Sequence, residues 1–351
     1  MCPNSQHYLS NSRRWQIDFF FNMTPRPKTS RSVLSRRDFC HRTLCSAGTV
    51  ALACTPASSL GARETQKKFS LNYILGSPMY GTAPLVEVLE EVSKVGADVI
   101  DVWPRRHANH REQMDELGHD QVERLLDEHN VRLGMITRYD LRPHRLQEEM
   151  PVLSRFGGKL LVCGAGKEDG DSVKERVRNF VDSMHEQVVE AEKRDIKIGI
   201  ENHGGSLLST PDSLRYFADF IKTEHLGLAM APYHLPQDPE LIADLIAHLG
   251  NKLVFFQAWQ HGKGCMDKLP KEEELLQLPG RGALDFTPVL AALQRIDYRG
   301  WTEIFMHPVP RGIPILPTTA EVSREINTAR SYLETCLASN AHLETSRGRI
   351  P

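Results

Sequence analysis

After about residue 69 the chain alternates between short apolar runs and longer amphipathic ones. The apolar runs are 69–75, 97–103, 131–137, 158–164, 196–202, 226–231, 252–259 and 301–306, rich in Val, Ile, Leu and Phe and short enough for strands. Between them, apolar residues recur at helical spacing over 84–95, 120–129, 142–156, 171–194, 210–222, 239–249, 286–295 and 320–338. Strands that are apolar on both faces and alternate with helices predict a parallel sheet covered by helices. Eight such units in a chain of this length predict an α/β fold of the (β/α)8 TIM-barrel type over residues 63–340, with a disordered tail at 341–351. No GxGxxG follows the first strand, which disfavours an open dinucleotide-binding sheet. Thr210-Pro211-Asp212 and Asp238-Pro239-Glu240 read as capped helix starts. Gly96 and Gly250 read as helix ends.

The first 62 residues depart from this pattern. Ser35-Arg36-Arg37-Asp38-Phe39-Cys40 precedes a mildly apolar run, Thr43 to Ala57, and small residues at Gly61-Ala62. The arrangement resembles a twin-arginine export signal, so residues 1–62 are expected to be a signal or disordered segment and the mature protein to be periplasmic. The run is too short for a membrane span. Met23 competes with Met1 as the start. Ala51-Leu52-Ala53 puts the leucine one place away from where a lipobox needs it, which argues against a lipid anchor at Cys54. Beyond the signal, Cys163, Cys265 and Cys336 are too few and too scattered for a disulfide framework. With 43 basic and 45 acidic residues, the charge balance disfavours a nucleic-acid surface.

Polar residues collect at the predicted strand ends. Ile196 to Gly205 (IKIGIENHGG) is a buried strand that closes on an acid, an amide and an imidazole. Alternate residues share a face. Gly199, Glu201 and His203 therefore group on the fifth strand; Phe255, Gln257, Trp259 and His261 on the seventh; Trp301, Glu303, Phe305 and His307 on the eighth. Asp101 and Trp103 close the second strand and precede Pro104-Arg105-Arg106-His107 and His110. Glu201 and Glu303 are the candidate catalytic acids; Glu303, being mid-strand, could instead be a buried acid paired with an arginine. Trp103, His107, His203, His234, Gln257, His261, Lys263 and Arg281 are candidate substrate contacts. Arg105, Arg106, Lys263, Arg281 and Arg311 form either an anion-receptive rim or ordinary solvated loop charge. The long connection from Gln260 to Leu284 falls on the face where barrels keep their functional loops.

IENHGG (200–205), Ala231-Pro232-Tyr233-His234, PGRGALDF (279–286) and Tyr298-Arg299-Gly300-Trp301 together resemble the xylose isomerase-like TIM-barrel superfamily, in its sugar phosphate isomerase/epimerase branch. The resemblance implies a divalent metal (Mn, Mg, Co or Zn) on four strand-end ligands, where a hydroxy-ketone is polarised and a proton moves between neighbouring carbons. It places Glu201 on the first ligand and His234 on a substrate-contacting histidine. The other three ligand positions, Asp, His and Glu in the family, fall on Ala231, Gln257 and Phe305. The groups left for a metal are Glu201, His234 and His307, with Glu303 about 6.6 Å below the family's last ligand on the same face; the other outcome is no metal. The expected activity is that of an exported sugar isomerase or epimerase with a degenerate metal site. The alternatives are a lyase or hydrolase of an oxidised glycoside, and a non-catalytic carbohydrate-binding barrel. The expected partner is a small-molecule sugar, with no nucleic acid and no membrane span; oligomerisation is left open.

Overall fold

The computed structural model describes residues 69–347. The export-signal pattern, Met23 and Cys54 lie outside the described residues, as does the end of the chain from 348. Eight parallel strands close into a barrel in chain order: β1 (Asn72–Gly76), β2 (Val99–Val102), β3 (Arg132–Thr137), β4 (Leu160–Gly164), β5 (Lys197–Glu201), β6 (Leu226–Met230), β7 (Leu253–Ala258) and β8 (Trp301–Ile304). Seven lie inside one of the eight apolar runs, and β1 extends one residue past the run 69–75. Parallel strands covered by helices must be apolar on both faces, which is why the runs were readable.

Two apolar layers result. Ile74, Val99, Met135, Leu160, Val162, Ala229, Val254 and Phe255 fill the barrel below its mouth, with Trp301 packed against them. A larger cluster lies between the barrel and the helices and includes Leu89, Phe180, Phe217, Ile246 and Leu290. The ladder shifts register between Ile100 and Asp101 and between Leu228 and Ala229.

The helices largely follow the amphipathic segments. Thr210 and Ser213 form a reciprocal capping box at the start of Pro211–Phe220, and Asp238 accepts from the amides of Glu240 and Leu241. Gly96, at φ 75°, ends the segment leading into β2 in the left-handed conformation. Several features differ from expectation. The segment 171–194 is two helices, Val173–Ser183 and His185–Lys193. At the junction the Ser183 hydroxyl donates to the Phe180 carbonyl at 2.8 Å, competing with the main-chain ladder. The segment 142–156 is a 3-10 stretch, Pro143–Glu148, followed by a short helix, Met150–Arg155; Pro143 and Pro151 each remove an amide, so each can only open a helix. The rim segment after β2 ends in an unpredicted helix, His110–Leu117. The last helix, Thr319–Arg347, runs past residue 340. No helix among the described residues is long and apolar enough to cross a membrane. Cys163, Cys265 and Cys336 are free and buried.

Candidate functional site

Strand ends deliver two polar layers at the mouth of the barrel. The lower one is acidic. Asp101 from β2, Glu201 from β5 and Glu303 from β8 are all buried, and Gln257 from β7 pairs in register with Glu303. No arginine among the described residues pairs with this layer, so the expectation that Glu303 pairs with one is corrected: its carboxyl faces Asp101 and Gln257. The Trp103 indole N–H and the Thr137 hydroxyl, the latter at 2.8 Å, donate to one oxygen of Asp101. With both acids ionised, the other Asp101 oxygen, both oxygens of Glu303 and the Gln257 amide oxygen have no hydrogen-bond donor among the described residues, and a proton on Glu303 supplies a bond to Asp101.

Burial costs a carboxylate more than a neutral acid, and all three groups show it. Burial pushes Asp101 up to about 7 against the bonds from Thr137 and Trp103. Glu303 is driven well above the carboxylate range by burial and by the charge of Asp101 beside it. Glu201 rises to about 7 through burial, while the Tyr139 phenol, which donates to Oε2, pulls it down. The end of β1 leaves room for this layer, since a side-chain carbon on Gly76 would lie 2.4 Å from Glu303 Oε1.

The upper layer is aromatic and imidazole. Trp103 stacks on Phe305 with centroids 5.3 Å apart, and Trp259 meets Phe305 edge-on at 5.1 Å. His107 stacks on His307 at 4.8 Å. Across the mouth, His203 and His234 lie 4.0 Å apart, and Tyr233 is sandwiched between Trp259 at 3.9 Å and His261 at 4.9 Å. Gln277 staples the long loop to this layer. Its amide oxygen accepts from Trp259 Nε1 at 3.0 Å and from the His307 main chain at 3.2 Å, and its nitrogen donates to the His307 carbonyl at 2.9 Å. Three of the imidazoles are kept neutral: burial, then the charges of Arg311 and Arg106, takes His107 down to about 4, and burial with His203 and His261 takes His234 to about 3. His307 falls well below its ordinary value for the same reasons, burial first and Arg311 next. The buried Nε2 of His234 has no hydrogen-bond partner among the described residues.

Of the residues singled out from the sequence, Trp103, His107, Glu201, His203, His234, Gln257, His261, Glu303 and His307 all belong to these two layers. Lys263 is exposed, with no carboxylate partner among the described residues. Arg281 is elsewhere employed: it forms a fork with Glu325 of the last helix at 2.5 and 3.1 Å. His110 is also off the rim, buried at the head of its helix with Nε2 against the Ala83 carbonyl at 3.0 Å. Asp101 lies in the acidic layer and accepts from Trp103 and Thr137. Asn202 clamps the main chain of Ala231 through bonds of 2.8 and 3.0 Å. Sequence reasoning missed Tyr139, Thr137 and Gln277; continuing the β3 alternation past Thr137 would have aimed Tyr139 inward.

Residues 89–326 match the family described as xylose isomerase-like TIM barrel. The chain belongs to that family. Among curated proteins it is similar to an L-ribulose 3-epimerase of Methylomonas sp. (strain DH-1), 24% identical over 197 residues, covering 50% of this chain and 64% of that protein. The chain thus spans less than two thirds of that relative's length. Among solved structures, an L-ribulose 3-epimerase superposes with a TM-score of 0.60 at 12% identity, covering 80% of this chain and 100% of the other. The IOLI protein with a binding zinc atom superposes with a TM-score of 0.58 at 18% identity, covering 77% of this chain and 99% of the other.

This xylose isomerase-like barrel does not provide the family's four-ligand set. Ala231 has no donor atom, and Phe305 is wholly buried between Trp103 and Trp259 where the resemblance puts a carboxylate. Among the described residues no group of three or more His, Cys, Asp or Glu is placed to hold a metal. The expected trio of Glu201, His234 and His307 is therefore not assembled as ligands. Glu201 is engaged by Tyr139, and the two imidazoles each meet Trp259 edge-on, at 5.2 and 5.3 Å.

Proposed function

We propose that the protein is a sugar isomerase or epimerase that moves a proton between adjacent carbons, with Glu201 as the base and no step routed through the family's metal position. One observation carries this reading: a buried carboxyl at the barrel mouth, bonded to a phenol and held at about 7, exchanges protons near neutral pH. Its carboxylate takes the proton from the carbon next to a carbonyl, giving an enediol(ate), and delivers it to the former carbonyl carbon for isomerisation, whereas epimerisation needs a second acid to protonate the opposite face of the same carbon. Tyr139 orients the carboxylate. A neutral imidazole or amide N–H can donate to the oxygen where charge develops, and His234, with its unpartnered Nε2, and Gln257 are the groups within this wall. The sugar-epimerase names of the relatives support the reaction class, and the aromatic walls suit a sugar face.

A second reading, a barrel that binds sugar without turning it over, is favoured by the closely packed Trp103, Phe305 and Trp259 above the acids. Solvent-deuterium exchange into ketoses, measured beside sugar binding, separates the two. Exchange lost in Glu201→Gln supports catalysis, and saturable binding with no exchange leaves the binding barrel. Export through the twin-arginine route is proposed from Ser35–Cys40 alone. Fractionation of cells producing the full chain and an Arg36→Lys/Arg37→Lys variant checks it, with the variant expected to stay in the cytoplasm.

A further inference from the structure

The acids lie low in the mouth, and the free cations lie above them. Many arginines on the described surface are matched with acids, among them Arg138 with Asp140 and Glu149, Arg155 with Asp120 and Glu123, and Arg215 with Asp212 and Asp244. Arg106 and Arg311 are not, although Arg105, Arg142, Arg176, Arg178 and Arg295 form no carboxylate ion pair among the described residues either. Arg106 follows β2 and Arg311 follows β8, and their loops meet, since a side-chain carbon on Gly312 would lie 3.1 Å from the Arg106 carbonyl. The Arg311 guanidinium is partly buried and fixed on one side only. Nη1 donates to the Pro308 carbonyl at 2.7 Å and Nη2 approaches the Cys265 sulfur at 3.0 Å. Its Nε–H and remaining N–H groups have no acceptor among the described residues. Both guanidiniums bear on the site, because they are the leading charges acting on His107, and Arg311 is the leading one on His307.

A partly desolvated guanidinium with a free planar edge is built for a planar anion. We infer that the substrate of this barrel is a carboxylated sugar, a uronate or keto-uronate, whose carboxylate docks on Arg311 with Arg106 behind it while its hydroxyl chain passes between the aromatic walls toward Glu201. One partly buried fork matches a monoanion; a phosphate dianion calls for more than the exposed Arg106 and Lys263 provide. This rests on the reading of the mouth as a sugar site, but not on turnover.

The test is calorimetric binding to the full chain of D-glucuronate, D-glucose, D-fructose and D-fructose 6-phosphate, at low and moderate salt. Glucuronate should bind on the order of 10- to 100-fold more tightly than glucose. Arg311→Gln should erase that preference while leaving glucose binding in place, and Arg311→Lys should restore only part of it. Arg215→Gln, on an outer helix, should change nothing. Equal binding of glucuronate and glucose, or a preference that survives Arg311→Gln, overturns the assignment, and so does a larger gain for the phosphate than for the carboxylate. Glu201→Gln should keep the preference, which separates the two claims. A preference without proton exchange leaves the carboxylate site standing and removes the isomerase; exchange without a preference does the reverse.

Discussion

A buried carboxyl whose one side-chain hydrogen bond comes from a phenol has its basicity set by that phenol. Tyr139 favours the charged form of Glu201, so Tyr139→Phe should raise the carboxyl's pKa above about 7. If Glu201 is the base, the acid limb of the exchange-rate profile should then move to higher pH, with the plateau rate less affected than the rate at pH 6. Glu303 makes an opposite kind of prediction. Its folded-state pKa is raised, so it favours folding while protonated, and that contribution fades as pH climbs above the unfolded carboxyl value of 4.5. Glu303→Gln keeps the shape, removes the repulsion with Asp101 and supplies an amide donor. Urea denaturation should find it more stable than wild type by about 1–4 kcal/mol at pH 8, with the gain shrinking toward pH 5. Glu201 and Glu303 were legible because strand parity needs only the local sequence. Tyr139 lies in a polar stretch, Arg138-Tyr139-Asp140, beyond the end of β3, and its reach to β5 depends on how the barrel closes. Arg281 was misread for the same reason: its partner, Glu325, is far along the chain.

At the scale of elements, strand β1 ends on Gly76 because the Glu303 carboxyl of β8 occupies the space a side chain would take. Gly76→Ala should cost about 1–3 kcal/mol by overpacking, measured by chemical denaturation. Glu303→Ala in the same chain should recover most of that loss, because it removes the atoms the methyl strikes. The eight strands could be read from composition, as burial on both faces leaves little polar signal to confuse. Helix ends with a capping side chain, such as Thr210 and Asp238, could be read for a local reason too. The breaks at Ser183 and between Pro143 and Pro151 fall inside unbroken amphipathic patterns. There periodicity describes the buried face and says nothing about main-chain continuity.

Across the molecule, two sets of buried groups pull stability in opposite directions with pH. His107, His110 and His234 have folded pKa values lowered to about 4, 4 and 3, so they stabilise the fold above 6.5 and that contribution is lost as pH falls toward those values. Asp101 and Glu201, raised to about 7, contribute below about 4 and lose it as pH rises to 7. The two slopes oppose each other between about pH 4 and 7, so wild-type stability should change little there. Glu303→Gln should tilt the profile in favour of higher pH, as a denaturation series at fixed ionic strength would show. The resemblance puts the family's other three ligands on Ala231, Gln257 and Phe305. What fills the vacated positions, Phe305 between two tryptophans over a donor-poor acid layer, required the packed barrel.

The claim at the centre is that Glu201 moves a substrate proton. Incubating the full chain in deuterium oxide with L-ribulose and with D-fructuronate, and following the carbons next to the carbonyl by proton and carbon NMR, tests it directly. Wild type should incorporate deuterium into at least one of the two at a carbon adjacent to the carbonyl, and Glu201→Gln should slow incorporation by about 100-fold or more while still binding the sugar. Incorporation that proceeds undiminished in Glu201→Gln, or saturable binding by wild type with no incorporation into either sugar, would contradict it.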